Sequence, residues 1–600
     1  MSTSHPDDVS HDVVVVGAGV AGALLAKRLT SSGFRVLVIE AGPATPWSFD
    51  GYTRHLETFF AAASKGAESA WPPAIGAPQP DSRDVRTGDG YFVQKGPLPY
   101  GSTYTRAQGG STLHWLGVSL RMLPEDFALR SRYGVGRDWP VDYATLEPYY
   151  GQAEYEIGVA ADCADQTHSG VEFAPGYDYP MQRIPPSYSD QVLADSVDGM
   201  EATVGGVPVA VKIRSYPAAR NSIPRNGYRP VGAVDVRPYG QALGRDLGQR
   251  CAGNTACTPI CPIQAKYNAG KSLAQADRSK LEVVAQAVAS KVLVDPVSGQ
   301  VSGVEYQRYD DPASPRHTVH LARGRAYVLA AHAVENAKLM LASGLGSGSG
   351  MLGRNLMDHP SIYGWGLAPK PIGAFRGPQS TSGIDEGRSG AFRARHGAFR
   401  VDIGNDGWRA TTGAPDSTVA DAVMNRGLYG QDLLSHLRTE LSRQVRFSLN
   451  VEQLPSPDNQ VTIDPRYLDP LGNPRPVIHY DIDDYTLAGM AAAKRFYQEI
   501  FARAGIRDAS DPATATWFPS VTYQGEEYRY HGMGHFAGTH QMGDDPANSV
   551  VDADQRSWEH QNLFLIGSGS FPTMGTSNPT LTLAALALRT ADRLGTELRG

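Results

Sequence analysis

Residues 11–42 read HDVVVVGAGVAGALLAKRLTSSGFRVLVIEAG. Asp12 to Val16 form a run suited to a strand buried on both faces, and Val20, Leu24, Leu25 and Leu29 then fall near helical spacing. The pattern is strand, glycine turn, helix. Gly17 permits the tight turn, Gly19 lets the backbone approach a pyrophosphate at the helix N-terminus, and Gly22 lets helix pack closely on strand. Glu40 closes a second apolar run, RVLVIE, about twenty residues on, where a carboxylate can accept ribose hydroxyls. The stretch predicts an α/β, Rossmann-like dinucleotide-binding domain. No regular βαβ series follows it. Residues 43–105 are irregular and rich in Pro, Gly and aromatics, which suits an extended flavin better than a nicotinamide. Further on, LEVVAQAVASKVLVD from Leu281 reads as a strand near the adenine, and RAYVLAAHAVENAKLMLAS from Arg325 as a strand passing into a helix.

Composition narrows the function. A chain of 600 residues can bury a sizeable core and divide into two or more domains. The net charge of −7, with both signs interspersed, provides no basic stripe for nucleic acid. Its 65 glycines are roughly 11% of the chain against ~7% typically, which suggests many close backbone approaches to a ligand. MSTSHPDDVSHD lacks a basic and an apolar export region, and no stretch approaches the ~18 uninterrupted apolar residues of a membrane helix. The expectation is a soluble chain without its own signal peptide and with no direct membrane span.

Three of the four cysteines crowd into RCAGNTACTPICPIQAKYNAG, residues 250–270, at C-x5-C-x3-C spacing. Four cysteines are too few for a disulfide scaffold, a closed zinc site wants a fourth ligand, and three buried free thiols are the plain alternative. Three thiolates also suit a cluster with three irons.

Three segments carry a family likeness: GGSTLHW (Gly109–Trp115), HFAGTHQMGDDPANSVVD from His535, and NLFLIGSGSFPTMGTSNPTLTLAALALRTAD from Asn562. With YGVGRDWPVDYATLEPYY and LGRNLMDHP, and in this order behind the glycine motif, they resemble the glucose–methanol–choline oxidoreductases. Within these the likeness is greatest to the catalytic subunits of bacterial dehydrogenases of glucose, fructose, sorbitol or gluconate. The resemblance implies a p-hydroxybenzoate-hydroxylase-like FAD domain and a second, α+β substrate domain containing an antiparallel sheet. The boundaries predicted are 1–135, 245–365 and 545–600 for the first, and 136–244 and 366–544 for the second.

The same resemblance implies the site. His535 matches the catalytic histidine of H-x-x-G-T-x-x-M-G, and imidazole suits proton abstraction near neutral pH. Asn578 matches its partner. It is also a good helix N-cap, with Pro579 at the first helical position, and that helix's positive end would face the anionic reduced flavin. Gly567, Ser568, Pro579 and Thr580 are expected against the cofactor, and Gly109, Gly110 and His114 on its flavin side, with FAD held non-covalently although some relatives attach it through a histidine at the position of His114. His531 and His540 are expected either to support the site residues from behind or to pack loops. In the relatives the CTPICPIQAKYN segment binds a [3Fe-4S] cluster, so Cys251, Cys257 and Cys261 are its expected ligands here. Ala252 follows Cys251 where relatives often carry a second cysteine, so a disulfide to a small subunit is not expected.

The reaction implied is oxidation of a sugar or polyol hydroxyl, with electrons leaving through the cluster to a cytochrome c or quinone. The implied partners are a small chaperone or export subunit and a cytochrome c subunit, with a periplasmic location by co-export, or a cytoplasmic one without that partner. The alternatives are a self-contained oxidase passing electrons to O₂ and a non-catalytic flavin-binding assembly subunit.

Overall fold

The computed structural model describes residues 11–44, 91–230, 249–251, 253, 257, 261, 263–311, 314–346, 348–408, 416–510 and 518–600. Most of the irregular stretch after Glu40 and the lead-in to Cys251 lie outside them. Valines 13 to 16 of β1 (His11–Val16) are all buried because β1 is the middle of five parallel strands. On one side stand Gly324–Leu329 and then Leu563–Leu565; on the other, β2 (Val36–Ile39) and then Leu281–Val284. Alternate side chains enter two separate cores, Val14, Val16, Leu37 and Ile39 on one face, Val13, Val15, Val36 and Val38 on the other. Each such valine contributes about 1.5–3 kcal/mol by leaving water. The second core is closed by α1 (Val20–Ser31) and the C-terminal helix Pro579–Arg599, which pack on each other.

LEVVAQAVASKVLVD is two strands rather than one. Leu281–Val284 ends the parallel sheet, and Ala287–Val294 opens a three-stranded antiparallel sheet after a turn at Gln286, whose φ is +50° and whose N–H donates to Gly42 O. A reversal without glycine or proline leaves no mark in the hydrophobic pattern.

A second sheet of six antiparallel strands runs in the order Arg507–Asp508, Ser361–Leu367, Gln444–Val451, Phe399–Gly404, Ser380–Ile384, Ile213–Ser215. Helix Asp484–Arg503 covers one face. Its Tyr497 and Phe501 fill the space left by Gly364 and Gly366. Tyr363 and Trp365, which alternate with these glycines, line a cavity on the other face together with Asp402, Arg446 and Ser448. The strand Ser361–Leu367 runs through the 365/366 position predicted as a boundary.

Candidate active site

A cavity of about 870 Å³ extends from Glu40, past the glycine turn, to the antiparallel sheet. Gly17, at φ +104°, and Gly22 are glycine for the protein's own packing: a Cβ would fall 2.5 Å from Ala330 O at Gly17 and 2.1 Å from Gly17 O at Gly22. Gly19 differs. Its φ of −72° suits any residue, and no protein atom lies within 4 Å of where its Cβ would be. The space is left for something else, at the start of a helix whose first amides have no helical acceptor. Glu40, buried beside it, accepts from Ala18 N and Gly42 N, each at 2.8 Å, and burial raises its pKa.

Gly110, His114, Gly567, Ser568, Pro579 and Thr580 also line this cavity. Gly109 stands behind it at φ +107°, donating to Ala18 O and so tying the Gly110–Leu113 turn to the glycine loop. Room at Gly19, an acidic end at Glu40 and an inward helix start at Pro579 fit an elongated dinucleotide. The sequence reading passed over His332, at φ +102° and stacked on Tyr104 with centroids 4.1 Å apart. It also passed over Glu335, which accepts from the hydroxyls of Tyr91 and Tyr104 beside Lys338. His332, Tyr104 and Glu335 line the cavity, and none belongs to a short motif.

At the far end stands His535, with Asn578 Nδ2 at 3.1 Å from its Nε2. Asn578 is the N-cap residue by position, yet its side chain makes no capping bond: Oδ1 accepts from Arg400 at 2.8 Å and Nδ2 faces the histidine. The other ring nitrogen of His535 lies 2.8 Å from Nδ1 of His359, whose Nε2 lies 2.9 Å from Gly575 O. Burial, with His359, Arg400 and His531 nearby, holds His535 well below the ordinary histidine range, and burial pulls His359 down to about 3. Asp358 is shared between the two, one of its oxygens accepting from the backbone N–H of both His359 and His535. His359 lies in LGRNLMDHP, where sequence reasoning took only a likeness.

Above this pair the cavity wall is aromatic. His531 stacks on Tyr363, centroids 4.5 Å apart, and Trp365, Trp408 and Phe518 continue the wall. His531 therefore faces the cavity rather than merely packing a loop; His540 is fully buried against Asn336. Asp402 and Arg446, which pairs with Asp406 at 2.6 Å, add an acceptor and a donor to that wall. Aromatic faces beside charged hydrogen-bonding groups suit a molecule with both CH faces and hydroxyls.

The four cysteines are free, Cys257 buried and Cys251, Cys261 and Cys163 half-buried. Among the described residues no three His, Cys, Asp or Glu side chains stand close enough to hold a metal ion. Lys266 and Lys271 are buried, their ammonium groups donating to Cys257 O at 2.7 Å and Gln264 O at 2.6 Å. Burial pulls each down to about 8. Cys257 and Cys261 in turn raise Cys251, most of whose shift comes from burial. The donor set fits a thiolate-bound cluster, while the thiols are not gathered as its ligands. The segment is bonded to the cavity wall, Trp115 Nε1 donating to Tyr267 O at 2.8 Å and Ala269 N to Thr112 Oγ1 at 2.9 Å.

Two GMC oxidoreductase family models match, over residues 187–361 and 455–587, and a lycopene cyclase model matches residues 12–72 around the glycine motif. The chain is 31% identical to the fructose dehydrogenase large subunit of Gluconobacter japonicus over 99% of both chains. It is 25% identical to the gluconate 2-dehydrogenase flavoprotein of Pantoea cypripedii (96% of this chain, 92% of that one) and 26% to paromamine 6'-oxidase of Streptomyces fradiae (99% and 92%). Among solved structures, pyridoxine 4-oxidase from Mesorbium loti superposes with a TM-score of 0.57 at 18% identity, over 97% of this chain and 99% of that one, a likeness of fold.

Proposed function

Because this chain belongs to the GMC oxidoreductases, FAD-dependent enzymes acting on CH–OH donors, we propose that it oxidises a hydroxyl of a sugar or polyol. The observation that carries this reading is the His535–Asn578 pair in the cavity that Gly19 leaves open. The flavin, when bound, supplies the acceptor for the hydride of the carbinol carbon. His535 Nε2 takes the hydroxyl proton, and Asn578 Nδ2, with an N–H to spare, orients the hydroxyl oxygen. Tyr363 and its neighbours receive the CH face of the substrate while Asp402 and Arg446 bond its other hydroxyls. The helix N-terminus at Pro579 and Thr580, which line the cavity, would favour negative charge on a flavin bound there. FAD would be held non-covalently, with Gly110 and His114 on its flavin side and Gly109 supporting them from behind.

Cys251, Cys257 and Cys261 would hold a [3Fe-4S] cluster, which would supply a one-electron carrier between the flavin and a cytochrome c or quinone. Supporting this are the two buried lysines and the bonds joining Tyr267 and Ala269 to the cavity wall. One relative is named a large subunit, which supports a smaller partner subunit; the partners proposed are a small export subunit and a cytochrome c subunit, with a periplasmic site reached by co-export, or a cytoplasmic one without that partner. Among the described residues no helix is long and apolar enough to cross a membrane.

The test is anaerobic mixing of the flavin-loaded protein with a panel of sugars and polyols. At least one should bleach the flavin, and His535→Ala should keep its flavin but bleach roughly 10² to 10⁴-fold more slowly. No bleaching by any of them, or a normal rate in the variant, would reject the reading. A relative named an oxidase supports O₂ as the rival acceptor, and abundant peroxide without an added acceptor would favour it.

A further inference from the structure

Four hydrogen bonds around His535 run in one direction only. At one end is Arg400, whose guanidinium can only donate. The atom of Asn578 that it meets must therefore be the amide oxygen, which turns Nδ2, a donor, towards His535 Nε2. At the other end is the carbonyl of Gly575, which can only accept, so His359 Nε2 must carry a proton. Deep burial without a facing carboxylate keeps the His359 ring neutral, and its Nδ1 is then bare. Two bare nitrogens cannot face each other at 2.8 Å, so His535 Nδ1 carries the proton and donates it to His359. His535, neutral as well, is left with its lone pair on Nε2, the nitrogen beside Asn578.

We infer that His359 is a positioning residue that fixes the tautomer of His535, keeping Nε2 of His535 bare and able to take the substrate's proton. A free imidazole divides its proton between the two nitrogens, and which one holds it in a protein is set by the bond that the other makes. Asp358 supports the arrangement. Its Oδ1 accepts from the main-chain N–H of His359 at 2.6 Å, of His535 at 3.1 Å and of Met533 at 3.3 Å, and its Oδ2 from the hydroxyl of Ser102. One buried carboxylate thus holds both histidine backbones, and the two rings meet edge to face with centroids 5.0 Å apart. The step served is a simple transfer: the substrate O–H bond breaks, its proton joins Nε2, and the Nδ1–H bond to His359 persists under the resulting imidazolium.

The inference rests on His535 being the base, and the experiment separates the two. Flavin-loaded wild type, His535→Ala, His359→Leu and His359→Gln are compared in anaerobic flavin reduction, with flavin content and melting temperature recorded. The leucine side chain of His359→Leu can accept nothing, so the inactive tautomer becomes populated: kcat should fall about ten- to a hundredfold while KM stays within about twofold. The glutamine of His359→Gln can present its amide oxygen to His535 and its NH₂ to Gly575 O, and should restore kcat to within about threefold of wild type. A structural role would move flavin content or melting temperature and would not be repaired by glutamine in particular. Full activity in His535→Ala would overturn the base and this inference together. An inactive His535→Ala beside a normal kcat in folded His359→Leu would overturn the inference alone. So would a folded, flavin-loaded His359→Gln that stays more than tenfold slow, whether or not the leucine variant folds.

Discussion

Gly17, Gly19 and Gly22 obey different constraints, and substitution can tell them apart. A side chain at Gly17 or Gly22 would collide with backbone, so those changes damage the fold itself. A Cβ at Gly19 has no protein atom within 4 Å and the position needs no unusual φ. Gly19→Val should therefore fold with the melting temperature of the flavin-free wild type while retaining little or no flavin, read as flavin absorbance per mole of protein. Glu40→Ala should lose less flavin but more stability. It strips the acceptors from the N–H groups of Ala18 and Gly42, and leaving buried donors unmade costs about 1–3 kcal/mol each. A Gly19→Val protein that folds and keeps its full flavin would reject the phosphate site. The glycine spacing was legible because all three glycines lie in one short strand–turn–helix stretch, although Gly17 answers to Ala330 and Gly19 to the open space beside it. The partners of His535 were not, since Arg400 and His359 take their meaning from atoms distant in sequence.

At the scale of elements, the segment bearing the cysteines and the segment bearing His114 and Trp115 are one unit. Trp115 and Thr112 on one are bonded to Tyr267 and Ala269 on the other. A carrier held by the cysteines would adjoin the flavin's wall, and its loss should separate the two halves of turnover. Cys257→Ser should lose iron by elemental analysis and pass electrons to a cytochrome partner far more slowly. Bleaching of the flavin by sugar, which depends on His535 and Asn578, should continue, and small artificial acceptors should still work. Iron-free wild type prepared without oxygen, or unchanged cytochrome reduction after iron loss, would return these thiols to a packing role. Strands and helices with a clean period, such as β1, α1 and the C-terminal helix, could be read from the chain. The break at Gln286 could not, and neither could the use of Asn578 as a partner of His535 instead of a cap, since the capping rule concerns only the helix that follows it.

Over the whole molecule, the proposed base His535 and its neighbours His359, Arg400 and Asn578 are brought together from a loop, the approach to the strand Ser361–Leu367, the strand Phe399–Gly404 and the start of the C-terminal helix, and no sequence pattern spans such distances. Their burial leaves a trace in stability. Burial pulls His332 and His531 down to about 4 and His359 and His540 to about 3, with His535 well below the usual range. In each case the folded value lies below the ordinary ~6.5, so the unfolded chain binds the proton first. The stability these groups contribute is whole above pH 6.5 and is lost as the pH falls towards the folded values, at about 1.4 kcal/mol per pH unit for each histidine. Asp358, raised to about 6, and Glu386, raised to about 7, act in the opposite sense over part of that window. Against these two carboxylates the five histidines lead by up to about 4 kcal/mol per pH unit below pH 6, a margin that the raised carboxyls of Glu40, Asp126, Asp483 and Asp552 reduce. Thermal melts of the flavin-free protein at constant ionic strength should therefore show a fall in melting temperature between pH 6 and 5 that is steeper than any change between pH 8 and 7, where Lys266, Lys271 and Glu386 titrate in part. A melting temperature that holds or rises over that lower interval would mean that these histidines bind protons in the folded protein, and that the neutral ring on which the tautomer of His535 depends is not maintained.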